Sequence, residues 1–249
     1  TWFLGLNVTQ KSDRIIIDQS HYVQSILASH GQNTRKSNVP GVPDHAPDPN
    51  APIIHNLPIP TVLGKLNFLQ VQTRQDISFA VTFCAQGQQR GNDSDTAAIQ
   101  KVLGYLAKNP SWGVVIKAPD TPTDTLELSA IADSSHAVKE FGRRSPFGYF
   151  ILLNGNPVLW RTKAPTSVAL SSAEAEYVVM SEASKELKHM SQLLTCLGFD
   201  VKLLMRMLTD SMPAIAIAKS IGTNPKTRHI DVRFCFINHL YDEGEVVFE

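Results

Sequence analysis

Three acidic residues far apart along the chain carry the chemistry that its pattern of elements would bring together. Asp133 closes an apolar alternating run in Ala-Asp, Asp210 closes a second in Thr-Asp-Ser, and Glu174 opens a long amphipathic stretch in Ser-Ser-Ala-Glu. Each stands where a side chain leaves a packed element and faces a cleft. If the two runs pair side by side in one sheet, the three acids meet at one edge. Carboxylates held together repel one another unless a cation neutralises them. Oxygen ligands without histidine or cysteine select magnesium or manganese over zinc. Two such ions about 4 Å apart activate a water and stabilise the leaving oxygen of a phosphodiester in an in-line displacement. Singly, each acid also has a local reading: Asp133 as the start of a turn, Asp210 as the cap of a helix beginning near Ser211, Glu174 as the partner of Ser171 in a capping box.

The elements that must position these acids lie in the second half of the chain. Residues 168–194 read as one long helix: Ser171-x-x-Glu174 has the form of its start, and Val179, Ala183, Leu187, Met190 and Leu194 recur at three- and four-residue steps as an inward apolar face. Glu174 falls in the first turn, where the helix dipole favours negative charge. Residues 126–133, 147–153 and 158–163 alternate as strands, with Asn154-Gly155-Asn156 as a hairpin turn between the last two. An apolar strand at 202–209 and a short helix at 212–219 follow. The order β-β-β-α-β-α predicts an α/β fold, a mixed sheet with helices packed on it.

The first half reads differently. Residues 3–8 and 14–18 form a hairpin candidate, and a short helix from Ser20 ends at Gly31. Residues 38–60 carry proline at 40, 43, 47, 49, 52, 58 and 60, the composition of an extended loop or linker. Helices are expected at 61–86 and 95–108, the second stopping at Asn109-Pro110. Arg74 and Asp76 read as a surface ion pair or cap of little energetic weight. The stretch Ala-Pro-Asp-Thr-Pro-Thr-Asp-Thr at 118–125 marks a boundary between a mostly helical segment, 1–118, and the sheet-and-helix segment, 119–249.

Composition narrows the function classes. The 23 basic and 23 acidic side chains of the 249 residues cancel, which argues against a generally basic nucleic-acid coat while leaving local patches open. Cys84, Cys196 and Cys235 form no C-x-x-C pair, so neither a disulfide framework nor a zinc site is indicated, and a reducing compartment is expected. No apolar run reaches the roughly twenty residues of a membrane helix, and the opening residues lack the plan of a signal peptide, so no membrane partner is expected. The chain opens without methionine on strand-like sequence and is expected to be a piece of something longer.

The runs IADSSHA, GRRSPFGYF, GNPVLWRTKAPTSVALSSAEAEY, LTDSMPAIAIAK and KTRHIDVRFCFI resemble the ribonuclease H domain of a copia-type LTR retrotransposon polyprotein. Upstream, WFLGLNV, VLGKLNFLQVQTRQDISFAV and AAIQKVLGYLAKNPSWGVV resemble the thumb and connection that follow the polymerase palm in the same polyproteins. The resemblance spans nearly the whole chain in the family's order. It implies a ribonuclease H-like fold for 119–249, with Asp133, Glu174 and Asp210 as catalytic acids holding two magnesium or manganese ions. The implied reaction is hydrolysis of the RNA strand of an RNA–DNA hybrid, told from DNA by 2′-hydroxyls across the wide minor groove. The remainder of the reverse transcriptase polyprotein is the implied protein partner, and a cytoplasmic virus-like particle or the nucleus the implied location.

Around the acids, the resemblance implies that Ser134, Ser172 and Ser211 offer hydroxyl or backbone contacts to the hybrid, with ordinary capping as the alternative. The same resemblance implies that Lys226, Arg228 and Arg233 meet phosphates. His229 and Asp231 form an outer wall of the site or cap the helix that follows, the cap being the preferred reading. The family's fourth acidic ligand lies in a helix after the last strand, whereas this sequence stops at EVVFE, and Asp231 is too early to replace it; truncation of the domain is expected. The polymerase's Tyr-x-Asp-Asp strand is absent, so no DNA synthesis is expected. The competing expectation is a catalytically inactive nucleic-acid-binding or scaffold fragment of a decayed or co-opted retroelement.

Overall fold

The computed structural model describes the chain except residues 33, 42–56, 87–92, 120–122, 139–142, 165–167 and 220–230 and the side chains of 231–235. Most of the proline-rich stretch therefore lies outside the described residues. The rest forms two compact units that divide between Ala118 and Pro119.

The first unit begins with strands β1 (Trp2–Phe3), β2 (Leu6–Gln10) and β3 (Arg14–Asp18). Helix α1 (Ser20–His30) is followed by α2 (Ile59–Gln72), a 3-10 turn (Gln75–Ile77), α3 (Ser78–Ala85) and α4 (Asp93–Lys108), and strand β4 (Gly113–Lys117) closes the unit. The four strands form an antiparallel sheet in the order β1-β2-β3-β4, so the expected hairpin acquires a strand that sequence patterning did not single out. Val23, Ile26, Leu66, Leu69, Ile99, Leu103 and Leu106 pack in the helical core, each such side chain contributing about 1.5–3 kcal/mol by leaving water.

The single helix expected at 61–86 is broken at Thr73, where the amides of Thr73 and Arg74 both bond the Leu69 carbonyl. The break turns Arg74 inward. It is 1% exposed, donates from Nε and Nη2 to Asp76 at 3.0 and 2.8 Å and from Nη1 to the Asn109 carbonyl at 3.0 Å, and lies over the Tyr105 ring at 5.9 Å. The expected surface pair is thus a buried junction between the helix break and the end of α4. A guanidinium tolerates that burial because each of its three nitrogens donates to an oxygen.

The second unit contains β5 (Thr125–Leu126), β6 (Leu128–Ser134), β7 (Phe147–Leu153), β8 (Asn156–Lys163), α5 (Ser172–Cys196), β9 (Asp200–Val201), β10 (Met205–Leu208), α6 (Met212–Ala218), α7 (Asp231–Asp242) and β11 (Val246–Phe248). Its five-stranded sheet runs β11-β10-β6-β7-β8. The first two pairings are parallel and the last two antiparallel, giving the mixed sheet expected. Asn154 and Gly155 both take positive φ, 48° and 75°, the geometry of the two-residue turn that joins β7 to β8. Helix α5 lays Val179, Met180, Ala183 and Leu187 among the inward residues of the sheet, including Ala130, Ala132, Tyr149, Ile151 and Met207.

Candidate metal centre

Two acids are delivered by strand register. Strand β10 runs parallel to β6 with Leu208 opposite Ile131, so advancing two residues along each chain brings Asp210 beside Asp133. Both carboxylates are exposed at the strand ends. They border a cleft of about 450 Å³ lined by Ile131, Ala132, Asp133, Leu208, Thr209, Asp210 and Glu249.

The third acid is Glu176, not Glu174. Oxygens of Asp133, Glu176 and Asp210 lie within 4.8 Å of one another. Glu176 is 5% exposed; its Oε1 accepts the Ser134 amide at 3.1 Å and the Ser134 hydroxyl at 2.8 Å. Its Oε2 is buried with no hydrogen-bond partner among the described residues. Burial pushes the Glu176 carboxyl above its ordinary pKa; the two Ser134 bonds pull the other way, and the charges of Asp133 and Asp210 add to the upward push. Among the described residues none of the three acids is in an ion pair. The trio therefore has the makings of a hard-cation site: three oxygen donors, mutual repulsion, and one buried oxygen lacking a partner.

Glu174 occupies the capping box that its spacing also allowed. Its amide donates to the Ser171 hydroxyl at 3.1 Å, and its Oε2 accepts the Leu170 amide at 2.8 Å. Two residues along a helix turn the side chain by about 200°, so the cap and the cluster cannot share one position. A signal for Glu176 was present: stepping the apolar face Val179, Ala183, Leu187 back by three or four residues lands on 176, an acid where an apolar side chain belongs.

The remaining sequence candidates divide. Ser134 directs both its donors at Glu176. Ser211 caps α6, accepting the Ala214 amide at 3.3 Å. Ser172 is the exposed first residue of α5. Lys226, Arg228 and His229 lie outside the described residues, as do the side chains of Asp231 and Arg233, whose backbone belongs to α7. No helix among the described residues is long and apolar enough to cross a membrane.

No protein-family model matches the chain. Among curated proteins it is 27% identical over 249 residues to the retrovirus-related Pol polyprotein from transposon RE1 of Arabidopsis thaliana, and 29% over 250 residues to that from transposon RE2 of the same plant. Each match covers 98% of this chain, which spans only 16% and 17% of the two polyproteins. It is also 35% identical over 131 residues to the secreted RxLR effector protein 161 of Plasmopara viticola, covering 53% of this chain and 89% of that protein. A solved structure of a foamy viral protease-reverse transcriptase in complex with double-stranded DNA superposes with a TM-score of 0.53 at 12% identity, covering 100% of this chain and 37% of the other. That likeness concerns the fold alone: an α/β chain whose second unit is a ribonuclease H-like mixed sheet with helices packed on it. Over 98% of its length the chain is thus similar to the retrovirus-related Pol polyproteins of copia-type transposons, its homologues in sequence.

Proposed function

We propose that the second unit is a metal-dependent ribonuclease H that hydrolyses the RNA strand of RNA–DNA hybrids as part of a transposon reverse transcriptase. The observation that carries the proposal is the meeting of Asp133, Glu176 and Asp210 at one sheet edge, their oxygens within 4.8 Å. Magnesium or manganese held there would supply a nucleophilic water at neutral pH and charge for the leaving oxygen. Asp133 and Asp210 offer exposed oxygens from two parallel strand ends, accessible to a ligand entering the cleft. Glu176 offers an oxygen already stripped of water, so its desolvation is met during folding rather than on binding. Two ions and selectivity for RNA belong to the same proposal, the latter through 2′-hydroxyl contacts. The likeness to Pol polyproteins along 98% of the chain supports an enzymatic reading over a purely structural one.

The test is incubation of the chain with a labelled hybrid and magnesium, alongside the Asp210→Asn variant. Cleavage by the parent and loss in the variant is the expected result. Equal cleavage by both excludes this site. A parent that neither cleaves nor binds magnesium at millimolar concentration leaves the inactive binding or scaffold fragment as the function.

A further inference from the structure

We infer that Ser134 is a positioning residue that holds Glu176 ready for a cation, acting on the acid rather than on the nucleic acid; the inference rests on the metal-dependent function proposed above. Two donors of one residue converge on one oxygen: the Ser134 amide and hydroxyl reach Oε1 of Glu176 at 3.1 and 2.8 Å. A glutamate carboxylate turns freely about its last bond, and its two oxygens are chemically equal until something distinguishes them. The paired donors make that distinction. They occupy Oε1 and leave Oε2 buried and without a partner among the described residues, on the carboxylate that meets Asp133 and Asp210.

Strand geometry explains why the neighbour of a ligand can do this. Successive side chains of β6 point to opposite faces. Ala130 and Ala132 face the core beneath α5, and Ser134 follows them on that side, whereas Asp133 is turned to the cleft with Ile131. One strand end thus provides a ligand at 133 and fixes the orientation of a second ligand, 42 residues further along, from 134. While both are engaged, Ser134 has no donor left for a phosphate, and only its hydroxyl oxygen can still accept from a 2′-hydroxyl.

Three chains test this: the parent, Ser134→Thr, which keeps a hydroxyl, and Ser134→Val, which matches threonine in shape and lacks it. Magnesium and manganese binding are titrated calorimetrically without nucleic acid, and hybrid cleavage is followed across metal concentrations. The expected result is that the valine chain binds either ion about tenfold more weakly, the scale of lost outer-shell support. Its half-saturating metal concentration should rise by a similar factor while the rate at saturating metal is largely kept, as when ground-state binding alone is lost. The threonine chain should stay near the parent. Equal metal affinity of the threonine and valine chains overturns the inference while leaving the metal site standing. A parent that binds neither ion overturns the metal-dependent function, and this inference with it.

Discussion

The sharpest prediction contrasts two glutamates two residues apart. Replacing Glu176 with glutamine keeps the side chain's shape and its capacity to accept from Ser134, but removes the charge and one oxygen from the trio. Removing outer-shell support alone typically costs 10–100-fold in activity, so loss of a ligand should lower hybrid cleavage by at least about 100-fold. The metal-free stability should move the other way. Glu176 is held where burial and two like charges raise its pKa, so at neutral pH its ionised form opposes folding, and the neutral amide relieves that. Replacing Glu174 with glutamine has the reverse profile. The capping acceptor to Leu170 survives as an amide oxygen, while the negative charge at the helix N-terminus is lost, a change of about 0.3–1 kcal/mol. For a domain of this size that corresponds to a fall in melting temperature of up to about 4 °C, with cleavage near the parent's. The assay is hybrid cleavage in magnesium together with melting in chelator for all three chains. Loss of cleavage in Glu174→Gln with retention in Glu176→Gln would refute the assignment of the third acid.

In chelator, the stability of the parent relative to Glu176→Gln should decline with pH. A carboxyl whose folded pKa lies above its unfolded value contributes stability at pH below the unfolded value and loses it as pH rises through the folded one; parallel melts from pH 4 to 8 check the sign. Magnesium should raise the melting temperature of the parent as its concentration passes the dissociation constant, and should leave Asp210→Asn unmoved over the same range. Arg74→Met should destabilise the first unit by about 3 kcal/mol, because Asp76 loses its buried partner; urea unfolding measures it. Gly104→Ala should also destabilise that unit, by about 1–3 kcal/mol, since an added Cβ would stand 2.1 Å from the Arg35 carbonyl oxygen.

The parts legible in the sequence are those governed by local periodicity and by turn chemistry. The strand at 147–153 and the turn at Asn154-Gly155 emerge because alternation and positive-φ residues have short-range causes. Asp133 and Asp210 were findable for the same reason: each closes an apolar strand, and parallel pairing of those strands suffices to join them. Other features depend on distant partners. Strand β4 exists through its ladder with β3, nearly a hundred residues earlier in the chain. The break at Thr73 is stabilised by Arg74 reaching Asn109, a contact that no window around residue 74 contains. Glu174 drew the metal assignment because a start-of-helix acid has an obvious dipole argument, whereas Glu176 is visible only when the apolar face is carried one turn further back.

What separates a capping carboxylate from a ligand here is which oxygens are already engaged. Glu174 serves the helix start, its own orphan amide donating to Ser171 and its side chain accepting the Leu170 amide just before the cap. Among the described residues, Glu176 has one oxygen bonded twice by Ser134 and the other with no hydrogen-bond partner, beside two exposed acids that form no ion pair there. On the proposed function, the unfavourable crowding of the metal-free trio and its attraction for a cation are one free energy seen from two sides. Any substitution that relaxes the repulsion therefore stabilises the empty protein by weakening its hold on the metal. Thermal stability without metal and affinity for metal should consequently change in opposite directions across substitutions at 133, 176 and 210, whereas at 174 stability alone should change.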